Sequence, residues 1–530
     1  MKRREIIKGL STAPLVGAMC PLDSAFAEQT QRRTVAPALN DYQKIGVEPF
    51  INCRGTLTVI GGSTELPEVV EAKRANSPFF VQLDELAMGI GQRLADLTGA
   101  EWGMVSAGCA AGMKHITAAC VTDGNPERLV RIPNLTGFPK TEVIIPTRSR
   151  NQYDAAIRNI GITVIEIDTA AELEKAINSK TAMIYIMSNL HYDDAPLPLD
   201  QIVRIAKPRN IPILVDAAAE DPTFRPNQYL QKGASVVAYS GGKAIRGPQS
   251  AGLMLGRKDI LLSAWQASSP HHGPCRDNKV NKDEMMAMVA AVEAWINTDL
   301  AVKERGWITM LETISKRVSA INGITCAITE PRGLNNRNAR LTVSWNPEVF
   351  NITGSDVSDE LYSTKPRIAL SGSDIDNNGM TNVSMSAKLM LPGEDKIVAD
   401  RLFEILSKKY EKKPVVSINT AVPSLSGRWD VDIDFYSGKG RHSLFIEQDG
   451  NSITGSHQGE FTTRNMTGTI DGNRIRLSSS ERLNAQSVPF TFTGTATNNS
   501  MEGEISMGEY LAAKFTAKRY VQPQTTGGRS

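Results

Sequence analysis

The chain is 530 residues long, which is room for about three domains. Lys and Arg total 59 against 57 Asp and Glu, a formal net charge of +2. So even a balance excludes the basic face that nucleic-acid binding needs, and no nucleic-acid partner is expected.

Met1-Lys2-Arg3-Arg4-Glu5-Ile6-Ile7-Lys8 opens the chain, a weakly apolar stretch runs from Gly9 to Met19, and Ala25-Phe26-Ala27 precedes Glu28. That is a charged n-region, an h-region and a small-x-small cleavage site, and the paired arginines point to the twin-arginine route. The expectation is a signal peptide over residues 1–27, cleaved after Ala27, and a periplasmic mature protein. Pro14 and the cleavage triplet argue against an ordinary basic helix. Met19 is bulky where a lipoprotein signal wants a small residue before Cys20. The apolar run is too short to cross a bilayer, so no membrane span is expected. Cleavage leaves Cys53, Cys109, Cys120, Cys275 and Cys326, an odd and scattered set with no CxxC pair. Such a set is neither a zinc site nor a disulfide framework, and buried thiols are the expectation.

Val105-Ser106-Ala107-Gly108-Cys109-Ala110-Ala111-Gly112-Met113 lies between a loop and short strand at Gly99 to Met104 and a helical stretch from Lys114 to Cys120. Small residues at a helix start let backbone N–H groups approach an anion, and the helix dipole favours it there. Taken alone, such a turn serves equally to pack a helix on a sheet. From about 84 to 260, short apolar runs such as Glu142 to Pro146, Thr163 to Ile167 and Ala182 to Met187 alternate with helical stretches. They predict βα units and a mostly parallel sheet. Arg150, in the Ser149 to Asp154 segment after one strand, is a candidate clamp for a phosphate or substrate carboxylate, with a plain surface arginine the competing reading. His191-Tyr192-Asp193-Asp194 reads as a loop at the edge of the same site.

Ile211-Pro212-Ile213-Leu214-Val215-Asp216 is a strand ending in a carboxylate, and 27 residues later Tyr239-Ser240-Gly241-Gly242-Lys243 sets a lysine on a glycine-rich turn. Alone, that lysine is a solvated side chain. With an aspartate ending an earlier strand and an anion-binding turn before both, the set fits pyridoxal 5'-phosphate (PLP) chemistry. The lysine forms a Schiff base, and the aspartate keeps the pyridine nitrogen protonated. On this reading Lys243 and Asp216 are catalytic and Ala218 lies near the ring face. The Gly108 and Cys109 amides and the Ser106 and Ser240 hydroxyls hold the phosphate.

His271 and His272 are neighbours whose side chains point apart in regular structure, which suits a loop better than a metal, and no metal is expected. Residues 284–301 read as one long helix whose Met and Ala residues are core packing. A smaller α+β domain follows over about 305 to 410, containing Arg367 and ending in a helix from Asp395 to Lys409. After a linker through Pro414 and Pro423 the texture changes to short alternating strands with glycine turns such as Asp449-Gly450-Asn451, and a loose repeat runs through Ile453-Thr454-Gly455, Met466-Thr467-Gly468, Phe492-Thr493-Gly494 and Met501-Glu502-Gly503. About eight antiparallel strands would make a small lipocalin-like barrel or sandwich. Its role is open between a ligand- or partner-binding module and a packing appendage. The expected division is a PLP-binding large domain over 28–300, a small domain over 301–412, a linker over 413–425, a β module over 426–522 and a tail over 523–530.

The order of phosphate loop, Asp216 and Lys243 resembles the aspartate-aminotransferase-fold (fold type I) PLP enzymes. Ser240-Gly241-Gly242-Lys243 and Gly247-Pro248-Gln249-Ser250-Ala251-Gly252 are similar to selenocysteine synthase (L-seryl-tRNA selenium transferase) and the D-glucosaminate-6-phosphate ammonia-lyase group. So are Ile51 to Thr56, Gly61-Gly62-Ser63, Asp216 to Glu220 and Lys279 to Glu284, so the resemblance covers roughly residues 40 to 410. It implies a large parallel-sheet domain plus a small α+β domain. It also implies a PLP-dependent lyase or transferase that eliminates from, or replaces a β-substituent on, a small amino acid or amino-sugar acid. An aminotransferase, or an inactive periplasmic binding protein on the same fold, are the alternatives. An exported chain does not meet charged tRNA, which argues against selenocysteine synthesis itself. The resemblance further implies a carboxylate-binding role for Arg367, a homodimer or higher homo-oligomer, and Lys282 or Arg276 near the neighbouring subunit's cofactor phosphate.

Overall fold

The computed structural model describes residues 40–188, 196–330, 336–411 and 422–521. The signal peptide read over residues 1–27, the His191 to Asp194 loop, most of the 413–425 linker and the 523–530 tail lie outside the described residues.

The short strand β1 (Phe50–Asn52) comes first, and the central sheet follows. Its strands are β2 (Trp102–Ser106), β3 (Glu142–Pro146), β4 (Thr163–Ile167), β5 (Thr181–Met187), β6 (Ile213–Asp216), β7 (Val236–Ser240) and β8 (Gly252–Gly256). They lie in the order β2-β8-β7-β6-β5-β3-β4, parallel except that β8 runs against both of its neighbours. Six of the seven residues of β5 are buried, as expected of an aliphatic run covered on both faces of a sheet. Because β8 alone is reversed, the carboxyl ends of β2, β3, β5, β6 and β7 share one edge. Ligands bind beyond that edge in such sheets.

The helix read over 284–301 is two helices, Lys282–Ile296 and Leu300–Val318, meeting at an 84° bend. The break has a local cause. Asp299 caps the second helix, its carboxylate accepting the Val302 N–H at 3.1 Å, so the chain restarts instead of continuing. Among the described residues no single helix is long and apolar enough to cross a membrane.

The smaller domain holds β9 (Thr325–Thr329), β10 (Arg340–Trp345), β11 (Arg367–Ala369), β12 (Ser371–Gly372) and β13 (Thr381–Met385), and it ends in the helix Glu394–Ser407. Its core of Leu341, Val343, Trp345, Val383, Met385 and Leu402 also takes in Ile51 and Cys53. β1 pairs in parallel with β11, so residues 50–53 belong with this domain and not with the large one that residues 28–300 were expected to form.

The last eight strands close into an antiparallel barrel in sequence order. They are β14 (Gly427–Asp434), β15 (Lys439–Asp449), β16 (Ser452–Gln458), β17 (Thr463–Asp471), β18 (Arg474–Leu483), β19 (Gln486–Ala496), β20 (Ser500–Ser506) and β21 (Ala512–Arg519). Strict alternation along β14 sends Trp429, Val431 and Ile433 inward, where they meet Leu444, Phe492 and Phe515. Cys53, Cys109, Cys120 and Cys275 are buried and Cys326 is half-buried, all as free thiols.

Candidate active site

The phosphate loop forms where β2 ends. The helix Cys109–Thr122 starts after Gly108, which has φ 85° and supplies no side-chain cap. Its first-turn amides therefore have no side-chain acceptor and face outward from the helix start. The loop lies flat against β8: a Cβ on Gly252 would sit 2.5 Å from Gly108 C and 2.6 Å from Cys109 N, so only glycine fits there. Ser106 is buried and its Oγ donates to the Gly108 carbonyl at 2.8 Å, which shapes the loop and uses the hydroxyl that was expected on the phosphate. Ser240 ends β7, half-buried, next to the lysine turn.

Asp216 ends β6 and is 5% exposed. Its Oδ1 accepts the Ala218 N–H at 3.0 Å and lies 3.7 Å from Cys109 Sγ; its Oδ2 accepts the Tyr185 hydroxyl at 2.9 Å. Tyr185 in turn accepts from Asn151 Nδ2 at 3.0 Å. Burial raises the Asp216 carboxyl above its usual range, opposed by the Ala218 and Tyr185 hydrogen bonds and the nearby Lys243 charge. Burial also pushes the Cys109 thiol well up, in keeping with a packing thiol.

Lys243 sits on a turn closed by the Gly247 N–H on Gly241 O (2.8 Å) and the Arg246 N–H on Lys243 O (3.1 Å). From above, the 61–66 segment clasps it: Ser63 Oγ donates to Gly242 O at 2.9 Å, and the Leu66 N–H donates to Arg246 O at 3.1 Å. Lys243 faces a cleft of about 290 Å³ whose lining also includes Arg54, Tyr153, Asp221, Arg340 and Lys388. Arg54 is presented by a tight loop in which Asn52 Oδ1 accepts the N–H groups of both Arg54 (2.9 Å) and Gly55 (3.0 Å). Arg340 starts β10 and donates to Ser384 Oγ at 3.1 Å. Lys388, from the small domain, grips both oxygens of Asp221 in the large domain at 2.7 and 2.9 Å. Burial outweighs that pairing and raises the Asp221 carboxyl.

The two arginines expected on substrate are engaged elsewhere. Arg150 is paired to the buried Asp154 at 2.6 Å and to Glu166, and it does not line the cleft; Tyr153, three residues on, does. Arg367 donates to the Tyr362 and Glu48 carbonyls at 2.7 and 2.9 Å and stacks over Tyr362, which ties β11 to the start of the chain. Lys282 caps the end of the helix Pro67–Asn76, donating to the Asn76 and Ser77 carbonyls at 3.1 Å each. His271 bridges Trp265 O (3.2 Å) and Asp84 (3.1 Å), a loop brace. Sequence reasoning missed Tyr185, Arg340 and Lys388. A lone tyrosine in an aliphatic strand one position away from Asp216's strand was the signal for the first; nothing local marks Lys388, whose partner is 167 residues distant.

Residues 88–295 match the family model described as Cys/Met metabolism PLP-dependent enzyme. The D-glucosaminate-6-phosphate ammonia lyase of Salmonella typhimurium (strain 14028s / SGSC 2262) is 31% identical over 295 residues, 54% of this chain and 77% of that protein. A 5'-C-glycyluridine monooxygenase-decarboxylase of Streptomyces sp is 25% identical over 393 residues, 72% of this chain and 95% of that protein. The L-seryl-tRNA(Sec) selenium transferase of Proteus mirabilis (strain HI4320) is 24% identical, over 49% of this chain and 59% of that protein. A solved structure of D-glucosaminate-6-phosphate ammonia-lyase superposes with a TM-score of 0.62 at 28% identity, covering 70% of this chain and 99% of that one.

PLP carries a phosphate, a ring nitrogen and an aldehyde, and the residues here fit each part. The uncapped start of the helix Cys109–Thr122 suits the phosphate, the buried Asp216 suits the ring nitrogen, and Lys243 on the cleft wall supplies the amine that would hold the aldehyde carbon.

Proposed function

The chain belongs to the Cys/Met-metabolism family of PLP-dependent enzymes, and from that premise we propose that it releases ammonia from, or replaces a β-substituent on, a small amino acid or amino-sugar acid bearing an acidic group. The observation that carries this reading is the charge of the cleft. Arg54, Lys243, Arg340 and Lys388 line it against the single carboxylate of Asp221, which already belongs to Lys388. A cleft so charged favours an anionic substrate, and Arg54 and Arg340 are placed to bind its carboxylate.

Bound PLP supplies an electron sink for negative charge that develops at the carbon bearing the substrate amine. The protein does the rest. Asp216, held by Tyr185 and the Ala218 N–H, keeps positive charge on the ring nitrogen. The Lys243 amine removes the proton at that carbon and returns it to the departing group, one residue serving as base and then acid. The Lys388–Asp221 pair spans the two domains and holds the cleft walls at a fixed separation. An ammonia lyase and a selenium transferase among the relatives favour elimination or replacement over transamination.

The test is ammonia release from D-glucosaminate, its 6-phosphate and a panel of simple amino acids by PLP-loaded protein. Ammonia from at least one acidic amino compound is expected, with Arg340→Ala raising KM about tenfold through the lost ion pair. Amino transfer to an added 2-oxo acid without ammonia would establish an aminotransferase. Binding without product would establish the inactive alternative.

A further inference from the structure

The longest hairpin of the barrel extends out of it. β17 leaves β18 after the Met466–Ser479 pair and β20 leaves β19 after the Thr491–Ser506 pair. β18 and β19 continue together through Ser480–Pro489, Glu481–Val488, Arg482–Ser487 and Leu483–Gln486. Four further pairs make an arm roughly 13 Å long. Arg464 of β17 braces its base, donating to the Val488 carbonyl at 3.3 Å and lying 3.8 Å from the Glu481 carboxylate, but a two-stranded ribbon has little stability of its own and its outer end needs something to rest on. Its tip is a two-residue turn with Asn484 at φ 47° and Ala485 at φ 63°. Both angles suit a type I′ turn, but alanine there costs about 1 kcal/mol where glycine is usual.

The tip meets the catalytic domain beside the cleft. Arg482 Nη2 donates to the Arg150 carbonyl at 2.7 Å, and Arg158 Nη2 donates to the Asn484 carbonyl at 3.3 Å. Arg150 and Arg158 both hold the fully buried Asp154, at 2.6 and 2.8 Å. The next residue, Asn151, binds Tyr185, and Tyr185 binds Asp216; Tyr153 lines the cleft. Hydrogen bonds thus connect the barrel, through the 149–154 segment and Tyr185, with Asp216, the carboxylate that would hold the cofactor's ring nitrogen.

We propose that the β18–β19 arm is a positioning device for the active site: Arg482, bound to Arg150, and Asn484, bound to Arg158 and through it to Asp154, clamp the 149–154 segment and thereby fix Asn151 and Tyr153. This rests on the reading of that cleft as the PLP site, and it gives the barrel a role beyond packing. Arg482 is a positioning residue and does not touch the reacting atoms.

Hydrogen exchange of the full-length protein without cofactor tests the clamp independently of catalysis. In Arg482→Ala, amides of residues 149–154 should exchange about tenfold faster, the loss of one hydrogen bond. Strands β14 to β17 should be unchanged, and Arg482→Lys should recover part of the protection. With PLP bound, the pH midpoint of the visible absorption should shift in Arg482→Ala relative to wild type, because Asn151 no longer fixes Tyr185 against Asp216. Unchanged exchange over 149–154 would overturn the proposal. So would a rise shared by the whole barrel, which would make the contact one of packing alone. A wild-type protein that takes up no PLP would refute the cofactor site and leave the exchange result to decide the clamp.

Discussion

His457 shows how one buried side chain sets a pH limit. It is 0% exposed inside the barrel, with Nδ1 at 2.7 Å from Ser479 Oγ and Nε2 at 2.8 Å from His442 Nδ1. Burial, with the charge of His442 and Arg464 behind it, pushes its pKa down to about 3. The unfolded chain therefore takes up a proton first as pH falls, and the stability this residue contributes is present above about pH 6.5 and lost progressively toward pH 3. By pH 5 the loss is about 2 kcal/mol relative to pH 7. Urea unfolding at the two pH values should show that difference shrinking in His457→Asn; an equal loss in wild type and variant would contradict it. In the catalytic domain, residue-level reasoning reached Lys243 and Asp216 because their chemistry needs those residue types on a turn and at a strand end. It chose Arg150 because an arginine after a strand looks available in one dimension, and Arg367 because the family resemblance implies a carboxylate-binding arginine in the small domain. Their partners Asp154, Glu166, Glu48 and Tyr362 became visible only in three.

At the scale of elements, the aliphatic runs of β3, β4 and β5 announced a mostly parallel sheet, and alternation with an Asp449-Gly450 turn announced the barrel, although the glycines of the Thr-Gly repeat sit inside paired strands and not at turns. Both signals are local, and local patterns survive in a sequence. The break between Ile296 and Leu300 was written there too, in the capping residue Asp299, but the apolar run on both sides masked it. The β18–β19 arm had no such sign. Its length depends on where β17 and β20 stop pairing, a non-local fact. Only Asn484-Ala485, an unusual tip for a turn that favours glycine, marks it in the chain.

At the scale of the whole molecule, the large domain, the small domain and the barrel each have their own core, and residues 50–66 cross from the small domain to the lysine turn. That crossing escaped the sequence because β1 is only three residues long and finds its partner β11 more than three hundred residues away. The run Phe79-Phe80-Val81 is 62, 101 and 47% exposed, an apolar surface that a monomer seldom leaves bare. It supports the proposal of a two-fold dimer. Light scattering should give twice the chain mass for the full protein and also for a chain ending at Lys413, because the barrel acts on its own subunit's cleft. A monomer in both would contradict the dimer.

The most direct measurement is to add PLP, reduce with borohydride and locate the cofactor by mass spectrometry. Lys243, on the turn that faces the cleft, is expected to carry all of the label, and Lys243→Ala to carry none while remaining folded. Label on another lysine, or a wild-type protein that reduction leaves unmodified, would contradict the assignment of this turn as the catalytic centre.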